Sequence, residues 1–382
     1  MKKIVLFLLC TLSCWVYSQQ ILSLRDPYTQ ELVDFSEVKT FSDGKPMTDA
    51  QCDGVIYKKE KGKYYKRVFQ GPVNVKWFGA KGDGNADDVG TDDTQAIKTA
   101  LKVLSEIYKP YALTGGHLFG GFTLYFPKGV YLINETLKIP SCTTIVGESR
   151  YETLIHMKSP KFIFTNVMGM LNKVDVNMSN NIKIKQLTLK QGGIELQNSI
   201  NSVVEDISIM NVFGTNTDTA IQIRIPVNLI VRNIKIFNCS GTGIKYEDNI
   251  GAGPSTTTTF ENIWIAASKR AMLLDGNSGG SHKIITTRIL NSIIEYNEVG
   301  IELKGNIENL VIRDIHFEQN KTASIITTGN VSFNLEDSWT DKGDVIIKTN
   351  SGVDQSKVKI YLKNNTIPVK IDKDFKGKVI TI

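Results

Sequence analysis

A phrase of 23 to 29 residues recurs along the chain between Asn181 and Thr328. Each copy opens on a segment related to G-I-x-L, passes through a turn and closes on x-x-I-x-I-x-x-N. The first apolar positions are Ile194, Ile221, Ile244, Met272, Ile301 and Ile325, separated by 27, 23, 28, 29 and 24 residues. A unit this small cannot bury its own apolar face, so it becomes stable only by stacking on neighbouring copies. The repeat therefore predicts a solenoid.

Each copy contains a second short segment, and most of these alternate apolar and polar residues like a half-buried strand. They are residues 187–189, 207–209, 234–236, 263–265, 293–295 and 315–317. Coils of two or three such strands would pair with the coils before and after them, which gives parallel sheets along the solenoid axis. The pattern predicts a parallel β-helix. It lacks the long helical half and the leucine-rich consensus of ankyrin and leucine-rich arrays.

A bend follows the second segment of each copy. Asn211, Asn238 and Asn297 lie four residues after Ile207, Ile234 and Ile293, while Gln191, Ala267 and Gln319 take that place in the other copies. Asparagine tolerates left-handed backbone, and stacked asparagines can hydrogen-bond from coil to coil. We therefore expect a partial asparagine stack at this bend.

The first residues have the features of a secretory signal. Lys2 and Lys3 precede a largely apolar run from Ile4 to Val16, and Ser18 suits a cleavage site. The run is too short to span a bilayer, and no later stretch has 18 or more apolar residues. We predict a signal peptide over residues 1–18 and an exported protein. Cys14 after Leu12 and Ser13 leaves a lipid-anchored alternative open.

Charge and cysteine content exclude several functions. Removal of Lys2 and Lys3 would lower the net charge from +6 to +4, and no basic run is interleaved with aromatic residues, so nucleic-acid binding is not indicated. Cys52, Cys142 and Cys239 would remain, an odd number with neither a disulfide framework nor metal-ligand spacing. We predict no metal and no cofactor. The mild lysine excess favours an acidic ligand such as a uronate-containing polysaccharide.

Residues 19–72 contain no repeat and form a separate accessory segment in our prediction, with a hairpin where residues 55–57 and 64–68 flank Gly62. Residues 73–101 predict a strand, a turn and a helix capped by Thr91 or Asp92. Its apolar face, which would cover the open end of the coils, contains Ala96, Ile97, Ala100, Leu101 and Leu104. A cluster of acidic residues nearby does not have the ligand spacing of a calcium-binding EF-hand loop. Its members are Asp83, Asp87, Asp88, Asp92 and Asp93.

Three phrases resemble a known family. They are W-F-G-A-K-G-D-G followed by T-D-D-T-Q-A-I-K-T-A-L, then L-Y-F-P-K-G-V-Y-L-I at 124–133, and T-T-I-V-G-E-S at 143–149. They resemble the pectate lyase superfamily domain of rhamnogalacturonase-like hydrolases, epimerase-like proteins and phage tailspikes, although N-A-D-D-V-G is inserted before T-D-D-T. The resemblance covers about 73–330 and implies an all-β, right-handed, single-stranded parallel β-helix with an N-terminal capping helix. Residues 331–382 would be the last coils and a C-terminal cap.

Outward positions on the first strand carry the residues suited to chemistry. They lie one and three places after each aligned position: Glu195, Gln197, Gln222, Arg224, Lys245, Glu247, Leu273, Asp275, Glu302 and Lys304. Neighbouring coils lie about 4.8 Å apart, so carboxylates one or two coils apart span both glycosidase geometries. The predicted catalytic residues are Asp218, Glu247, Asp275 and Glu302, with Arg224, Lys245 and Lys304 holding an acidic sugar. Charges on an outer face that only maintain solubility are the alternative.

Local matches leave the reaction open. Asn216-Thr217-Asp218 resembles the phrase before the corresponding strand of polygalacturonase-type hydrolases, but the paired aspartates on the next coil, Gly-His-Gly and Arg-Ile-Lys are missing. A lyase would need a base beside a uronate and groups that stabilise the resulting charge. Types suited to a lyase are Lys245, Tyr246, Arg224, Arg270 and Lys304, with His282 or His316 as further possible bases.

The sequence thus predicts a secreted, polysaccharide-active β-helix that hydrolyses glycosidic bonds in an acidic, pectin-like polysaccharide. A non-catalytic glycan-binding or surface-structural β-helix and a polysaccharide lyase are the alternatives, because this domain occurs in hydrolases, lyases and adhesins. Trp264 and Trp339 are candidates for stacking on sugar rings. The oligomeric state is not determined by the sequence, although tailspike-like trimers are one option.

Overall fold

The computed structural model describes residues 21–85, 87–112, 118–159, 161–167, 179–214, 218–248, 255–276, 283–348 and 355–382. The chain divides into two compact units between Gln70 and Gly71. The first unit is a four-stranded antiparallel sheet in the order β1-β2-β4-β3. Its strands are β1 (Ile21–Arg25), β2 (Leu32–Val38), β3 (Tyr57–Glu60) and β4 (Lys63–Arg67), with a 3₁₀ turn at Asp49–Gln51.

The predicted hairpin in this unit is confirmed, because Glu60 pairs with Lys63 across Lys61 and Gly62. Both turn residues have positive φ, at 48° and 76°, as a two-residue hairpin turn requires. Val33, Phe35 and Tyr65 form a small buried cluster. Arg67 Nη1 lies 2.6 Å from the buried Asp26 carboxylate.

The described residues of the second unit contain one α-helix, α1 (Thr94–Ile107), a 3₁₀ turn at Val75–Phe78 and many short strands. The strands preceding the repeat are β5 (Val73–Asn74), β6 (Tyr111–Ala112), β7 (Leu118–Phe119), β8 (Phe122–Phe126), β9 (Gly129–Ile133), β10 (Leu137–Ile139), β11 (Thr143–Gly147), β12 (Thr153–Met157), β13 (Phe164–Asn166) and β14 (Ser179–Asn180).

The strands within the repeat are β15 (Lys183–Lys190), β16 (Ile194–Gln197), β17 (Ser199–Ile200), β18 (Val203–Val212), β19 (Thr219–Arg224), β20 (Val227–Glu247), β21 (Ser255–Gly276), β22 (Ile284–Glu295), β23 (Val299–Glu318) and β24 (Ala323–Glu336). The last strands are β25 (Trp339–Thr340), β26 (Val345–Lys348), β27 (Lys359–Lys363), β28 (Val369–Ile371) and β29 (Lys378–Thr381).

The coils stack in the predicted register. The aligned positions are Cα partners in the order Ile194, Ile221, Ile244, Met272, Ile301 and Ile325, extended by Leu137 and Phe164 before them and by Val345 and Val369 after them. All of these pairings are parallel, and we name the resulting surface sheet A. The structure confirms a parallel β-helix.

Each coil continues from sheet A into two further parallel sheets. Sheet B stacks Leu124, Ile145, Ile184, Val204, Val231, Phe260, Ile289, Ile312, Leu335 and Leu362. Sheet C stacks Tyr131, Ile155, Leu189, Ile209, Ile236, Ile265, Ile294 and Phe317. These side chains are buried and fill the interior of the coil stack. Each contributes about 1.5–3 kcal/mol through burial of apolar surface.

The glycine that opens several repeats has a steric reason. A Cβ at Gly193 would lie 2.0 Å from the carbonyl oxygen of Ala220, and one at Gly300 would lie 2.3 Å from that of Ser324. Both oxygens belong to the next coil, so a side chain would force neighbouring coils apart. The G-I pair therefore marks a point of close coil-to-coil approach.

In one coil, the residue at the bend after sheet C is one position before the predicted residue. Gln191, Asn211, Asn238, Ala267, Tyr296 and Gln319 share the bend and all have positive φ. Asn297 is therefore not in this stack, because Ser292 and not Ile293 pairs with Ile315. It is buried, and its side-chain oxygen accepts a hydrogen bond from the Ser268 amide at 2.9 Å.

A longer polar ladder, which we did not predict, lies between sheets B and C. Gln186, Asp206, Asn233, Asn262, Asn291, Asp314, Asp337 and Asn364 precede the sheet C strands, and all have positive φ. Asn262 Nδ2 donates to Asn233 Oδ1 at 2.8 Å. Short amide and carboxylate side chains suit this left-handed corner, which turns the chain sharply from sheet B to sheet C.

Helix α1 buries Ile97, Ala100, Leu101 and Leu104, as its apolar pattern predicts. Its N-cap is Asp93 and not Thr91 or Asp92. The Asp93 side chain makes no capping hydrogen bond to the helix. Its carboxylate accepts hydrogen bonds from the amides of Lys81 and Gly82, at 2.6 and 3.0 Å. Burial raises the pKa of Asp93, while these two amides oppose that shift.

Candidate functional site

The outer face of sheet A presents two columns of side chains, which we call the charged ladder. One column pairs Glu195, Gln222, Lys245, Leu273 and Glu302 across successive coils, and the other pairs Gln197, Arg224, Glu247, Asp275 and Lys304. This is the predicted arrangement. Gln222, Glu247 and Leu273 are nevertheless buried, because neighbouring ladder side chains cover them.

Glu247 lies at the centre of a hydrogen-bonded cluster. Its Oε1 accepts from Arg224 Nε and from Gln222 Nε2, both at 2.7 Å, and Lys245 Nζ lies 2.8 Å from Oε2. The Glu247 side chain is 2 % exposed. Burial on its own would raise the pKa of Glu247, but the hydrogen bonds from Lys245 and Arg224 outweigh it and lower the pKa. Glu247 is therefore ionised at neutral pH, which suits a base or nucleophile rather than a proton donor.

The remaining predicted carboxylates of the ladder are ion-paired too. Lys304 Nζ lies 3.0 Å from Asp275 Oδ2, and Arg270 Nη1 lies 2.5 Å from Glu302 Oε2. Arg224 Nη1 also bridges to Glu195 at 2.6 Å. All three cations predicted to hold a substrate thus already bind a carboxylate of the same face.

Asp218 does not join the other three predicted acids. Glu247 pairs with Arg224 at the far end of strand β19, whereas Asp218 precedes the first residue of that strand. Six residues of extended chain separate Asp218 from Arg224, about 20 Å. Ser240 Oγ lies 3.3 Å from its carboxylate. Asn216, Thr217 and His282 lie outside the described residues.

Tyr246 and Asp248 point into the coil interior and not toward the ladder. Tyr246 is fully buried, and its hydroxyl bonds the Thr258 hydroxyl at 3.2 Å. Burial raises the pKa of Tyr246 to about 12. Asp248 is also fully buried and accepts the Ser255 amide at 3.0 Å. Tyr246 is therefore not accessible to a substrate on sheet A, which corrects its inclusion among the groups of a lyase.

The outer face of sheet C is aromatic. Trp264 packs edge-on against Phe237 at 5.1 Å between ring centroids, and Lys235 Nζ lies 4.9 Å over the Trp264 ring. His316 lies 4.7 Å from Trp339, one coil further on. Trp264 Nε1 donates to Glu295 at 2.7 Å. Trp339 is 44 % exposed, so this aromatic face is partly open to solvent.

Comparison with known proteins shows that other chains share this fold. Residues 72–170 match the family model of rhamnogalacturonase A/epimerase, pectate lyase-like. The A-module of mannuronan C-5 epimerase AlgE6 from Azotobacter vinelandii aligns with a TM-score of 0.55 at 14 % identity, over 80 % of this chain and 89 % of that one. The enzymatically active domain of Bacteriophage CBA120 tailspike protein 2 aligns with a TM-score of 0.57 at 12 % identity, over 95 % and 59 %. The chain thus has the pectate lyase-like parallel β-helix fold that the sequence resemblance implied.

Sequence relatives match only parts of the chain. The preneck appendage protein of Bacillus phage PZA is 26 % identical over 205 residues, which are 50 % of this chain and 19 % of that protein. Mannuronan C5-epimerase AlgE3 of Azotobacter vinelandii is 33 % identical over 123 residues, 30 % of this chain and 6 % of that protein. The matched segments thus cover about a fifth or less of these relatives. Among the described residues, no helix is long and apolar enough to cross a membrane.

Proposed function

We propose that the protein is an exported enzyme that binds an acidic polysaccharide along the charged ladder and hydrolyses its glycosidic bonds. The observation that supports this most is the cluster around Glu247, in which an ionised, buried carboxylate lies between two cations on the outer face of sheet A. The fold shared with an epimerase module and an enzymatically active tailspike domain supports a polysaccharide as the substrate.

Glu247 and Asp275 are the pair that the geometry favours for hydrolysis. They are Cα partners on adjacent coils, so their backbones lie about 4.8 Å apart. A separation of one coil approaches the spacing of about 5–5.5 Å between the two carboxyl groups of retaining glycosidases. In this proposal the acidic sugar draws Arg224 and Lys245 aside, and Glu247 attacks the anomeric carbon while Asp275 protonates the leaving oxygen. Asp275 then takes a proton from a water molecule, whose attack on the anomeric carbon releases the sugar from Glu247. Glu302 lies one coil beyond Asp275. Asp218 lies too far away to take part.

The ion pairs of the ladder give the substrate a route to bind. A uronate carboxylate that binds Lys304 competes with Asp275 for that cation. Arg224 and Lys245 would hold a neighbouring uronate while keeping Glu247 ionised. In this scheme, binding of the acidic sugar exchanges ion pairs within the ladder for ion pairs with the sugar.

Non-catalytic glycan binding is the second candidate, and the aromatic face of sheet C favours it. Partly buried aromatic rings with carboxylates at their edges, as Trp264 and Glu295 provide, suit stacking on sugar rings and hydrogen bonding to their hydroxyls. This face needs no acid and base pair. A protein that used it alone would bind glycans without cleaving them.

The test is incubation of the protein with acidic and neutral polysaccharides while new reducing ends and unsaturated sugars are followed together. Hydrolysis of an acidic polymer predicts reducing ends without unsaturation. Both signals together would identify a lyase and overturn hydrolysis. Binding without either signal would leave the non-catalytic function.

A further inference from the structure

A basic cleft lies between helix α1 and the first coils of the β-helix. It has a volume of about 560 Å³ and is lined by Lys98, Lys102, Ser105, Glu135, Lys138 and Lys161, with Leu101, Pro140 and Val167 as apolar lining. Lys98, Lys102 and Ser105 follow one another on one side of α1, while Lys138 lies in strand β10. Helix and coils thus direct four lysines at one space.

The cleft differs from the charged ladder in its charge balance. Lys98 is paired with Glu135 at 2.6 Å. Across the described part of the chain, no carboxylate lies within ion-pair distance of Lys102, Lys138 or Lys161, although every ladder cation has one. Four lysines against one glutamate leave the cleft positive. Anions are attracted to such a concave cationic surface, and a bound anion would relieve the repulsion between the lysines.

The cleft is continuous with the charged ladder. Lys138 pairs with Thr165, which pairs with Glu195, so Lys138 belongs to the same outward column two coils before Glu195. Four coils separate Lys138 from Lys245, about 19 Å along the axis. A polymer that lies on sheet A over Glu247 and runs toward helix α1 would therefore reach the cleft.

We propose that this cleft binds the anionic groups of a polysaccharide chain several sugars away from the bond that is cleaved. This inference rests on the proposed function of the ladder, which supplies the path of the polymer. The ligand chemistry is a glycan bearing carboxylate or sulfate groups, because the apolar lining from Leu101, Pro140 and Val167 offers sugar rings a surface between the lysines. The cleft holds the chain in place and does not contribute to bond cleavage.

The experiment compares three variants of the full chain by titration with polygalacturonate and with a short oligogalacturonate. The first is Lys102→Ala/Lys138→Ala/Lys161→Ala. The control, Lys183→Ala/Lys359→Ala/Lys363→Ala, removes the same charge from the outer face of sheet B, where these lysines are exposed. The third, Arg224→Gln/Lys245→Gln, alters the ladder only.

The cleft variant should bind the long polymer about tenfold more weakly than the control, with a smaller difference at high salt. It should bind the short oligomer, which occupies the ladder alone, as tightly as the control. Equal binding of the polymer by cleft variant and control, with weaker binding by the ladder variant, would overturn the cleft while the proposed function stands. Loss in the cleft variant with no change in the ladder variant would retain the cleft and overturn the proposed function.

Two further outcomes would also overturn the proposal that the cleft binds an anionic polysaccharide. A wild-type chain that binds neither polygalacturonate nor a sulfated glycan would overturn the cleft proposal outright. Tighter binding of a single-stranded oligonucleotide than of either glycan, lost in the cleft variant, would show that the cleft takes nucleic acid instead. Thermal unfolding of all three variants at equal protein concentration checks that each change in affinity occurs in a folded protein.

Discussion

Sheets A and C stack on the same apolar interior with the same coil spacing, yet their outer faces differ in chemistry. Sheet A presents cations and carboxylates that are bonded to one another, with the Glu247 carboxylate almost completely covered. Sheet C presents rings that are partly open to solvent, such as Trp339. The interior fixes the coil geometry, so the outward residues are free to differ. Function in this fold is therefore determined by the outward columns of side chains and not by the repeat itself.

Replacement of Glu247 should produce the largest difference between the two faces. Glu247→Gln keeps the side-chain shape but removes the charge, so hydrolysis of the acidic polymer should fall by about 10²–10⁴-fold. Glu205→Gln is the matched control, since Glu205 is bonded to Arg232 on the outer face of sheet B. Reducing-end assays on both variants measure the effect. Equal activity of Glu247→Gln and the control would remove Glu247 from the mechanism.

The stability of the folded chain should depend on pH through Glu247 on sheet A. The pKa of Glu247 is lowered from 4.5 in the folded chain, so its contribution to stability is present above pH 4.5 and is lost as pH falls through the folded pKa. Above pH 4.5, Glu247→Gln should unfold with about 1–3 kcal/mol less stability than the wild type. The two curves should converge at lower pH. Denaturant unfolding across the pH range checks this, and a gap that widens in acid would contradict the lowered pKa.

The aromatic face should respond to a different ligand. Trp264→Ala/Trp339→Ala should weaken the binding of a neutral glycan by about 1–2 kcal/mol through lost stacking, while hydrolysis of the acidic polymer stays unchanged. Val203→Ala, on the outer face of sheet B, is a control that also removes apolar surface. Affinity measurements with neutral and acidic oligosaccharides separate the two faces. A loss of hydrolysis in the double variant would place the reaction on sheet C.

The smallest effect is expected at the Lys304–Asp275 pair. Both side chains are partly exposed, at 40 % and 24 %, so Lys304→Gln should change the free energy of unfolding by less than about 1 kcal/mol. The variant should still bind the acidic polymer a few-fold more weakly, because a cation of the ladder is gone. Unfolding curves and titrations of one preparation measure both quantities. A large stability loss would assign Lys304 a structural role.

The fold could be predicted because its signal is local and repeated. Ile194, Ile221 and Ile244 recur at the spacing of one coil, and the glycine before Ile194 and Ile244 marks where the backbones meet. The ladder followed directly from counting one and three places beyond each aligned position. A second signal was available, since an asparagine or aspartate precedes most sheet C strands, as at Asn233 and Asn262.

The remaining features depend on contacts that a single strand does not encode. The sequence alignment shifts Asn297 by one residue relative to the bend, because it aligns Ile293 with the other coils. In the structure Ser292 is the residue that pairs with Ile315 in the next coil. The burial of Glu247 under Arg224 and Lys245 requires two neighbouring coils to be in place. The basic cleft joins Lys98 and Lys102 of a helix to Lys138 and Lys161, which are distant in sequence. Asp218 was grouped with the other acids by motif resemblance, although it lies at the opposite end of the strand.

A crystal structure of the Glu247→Gln variant with a bound acidic oligosaccharide tests the central claim most directly. The account predicts sugar rings lying along sheet A, with one glycosidic oxygen between residues 247 and 275 and uronate carboxylates on Arg224, Lys245 or Lys304. An oligosaccharide bound only on sheet C, stacked on Trp264 or Trp339 and away from the charged ladder, would contradict it.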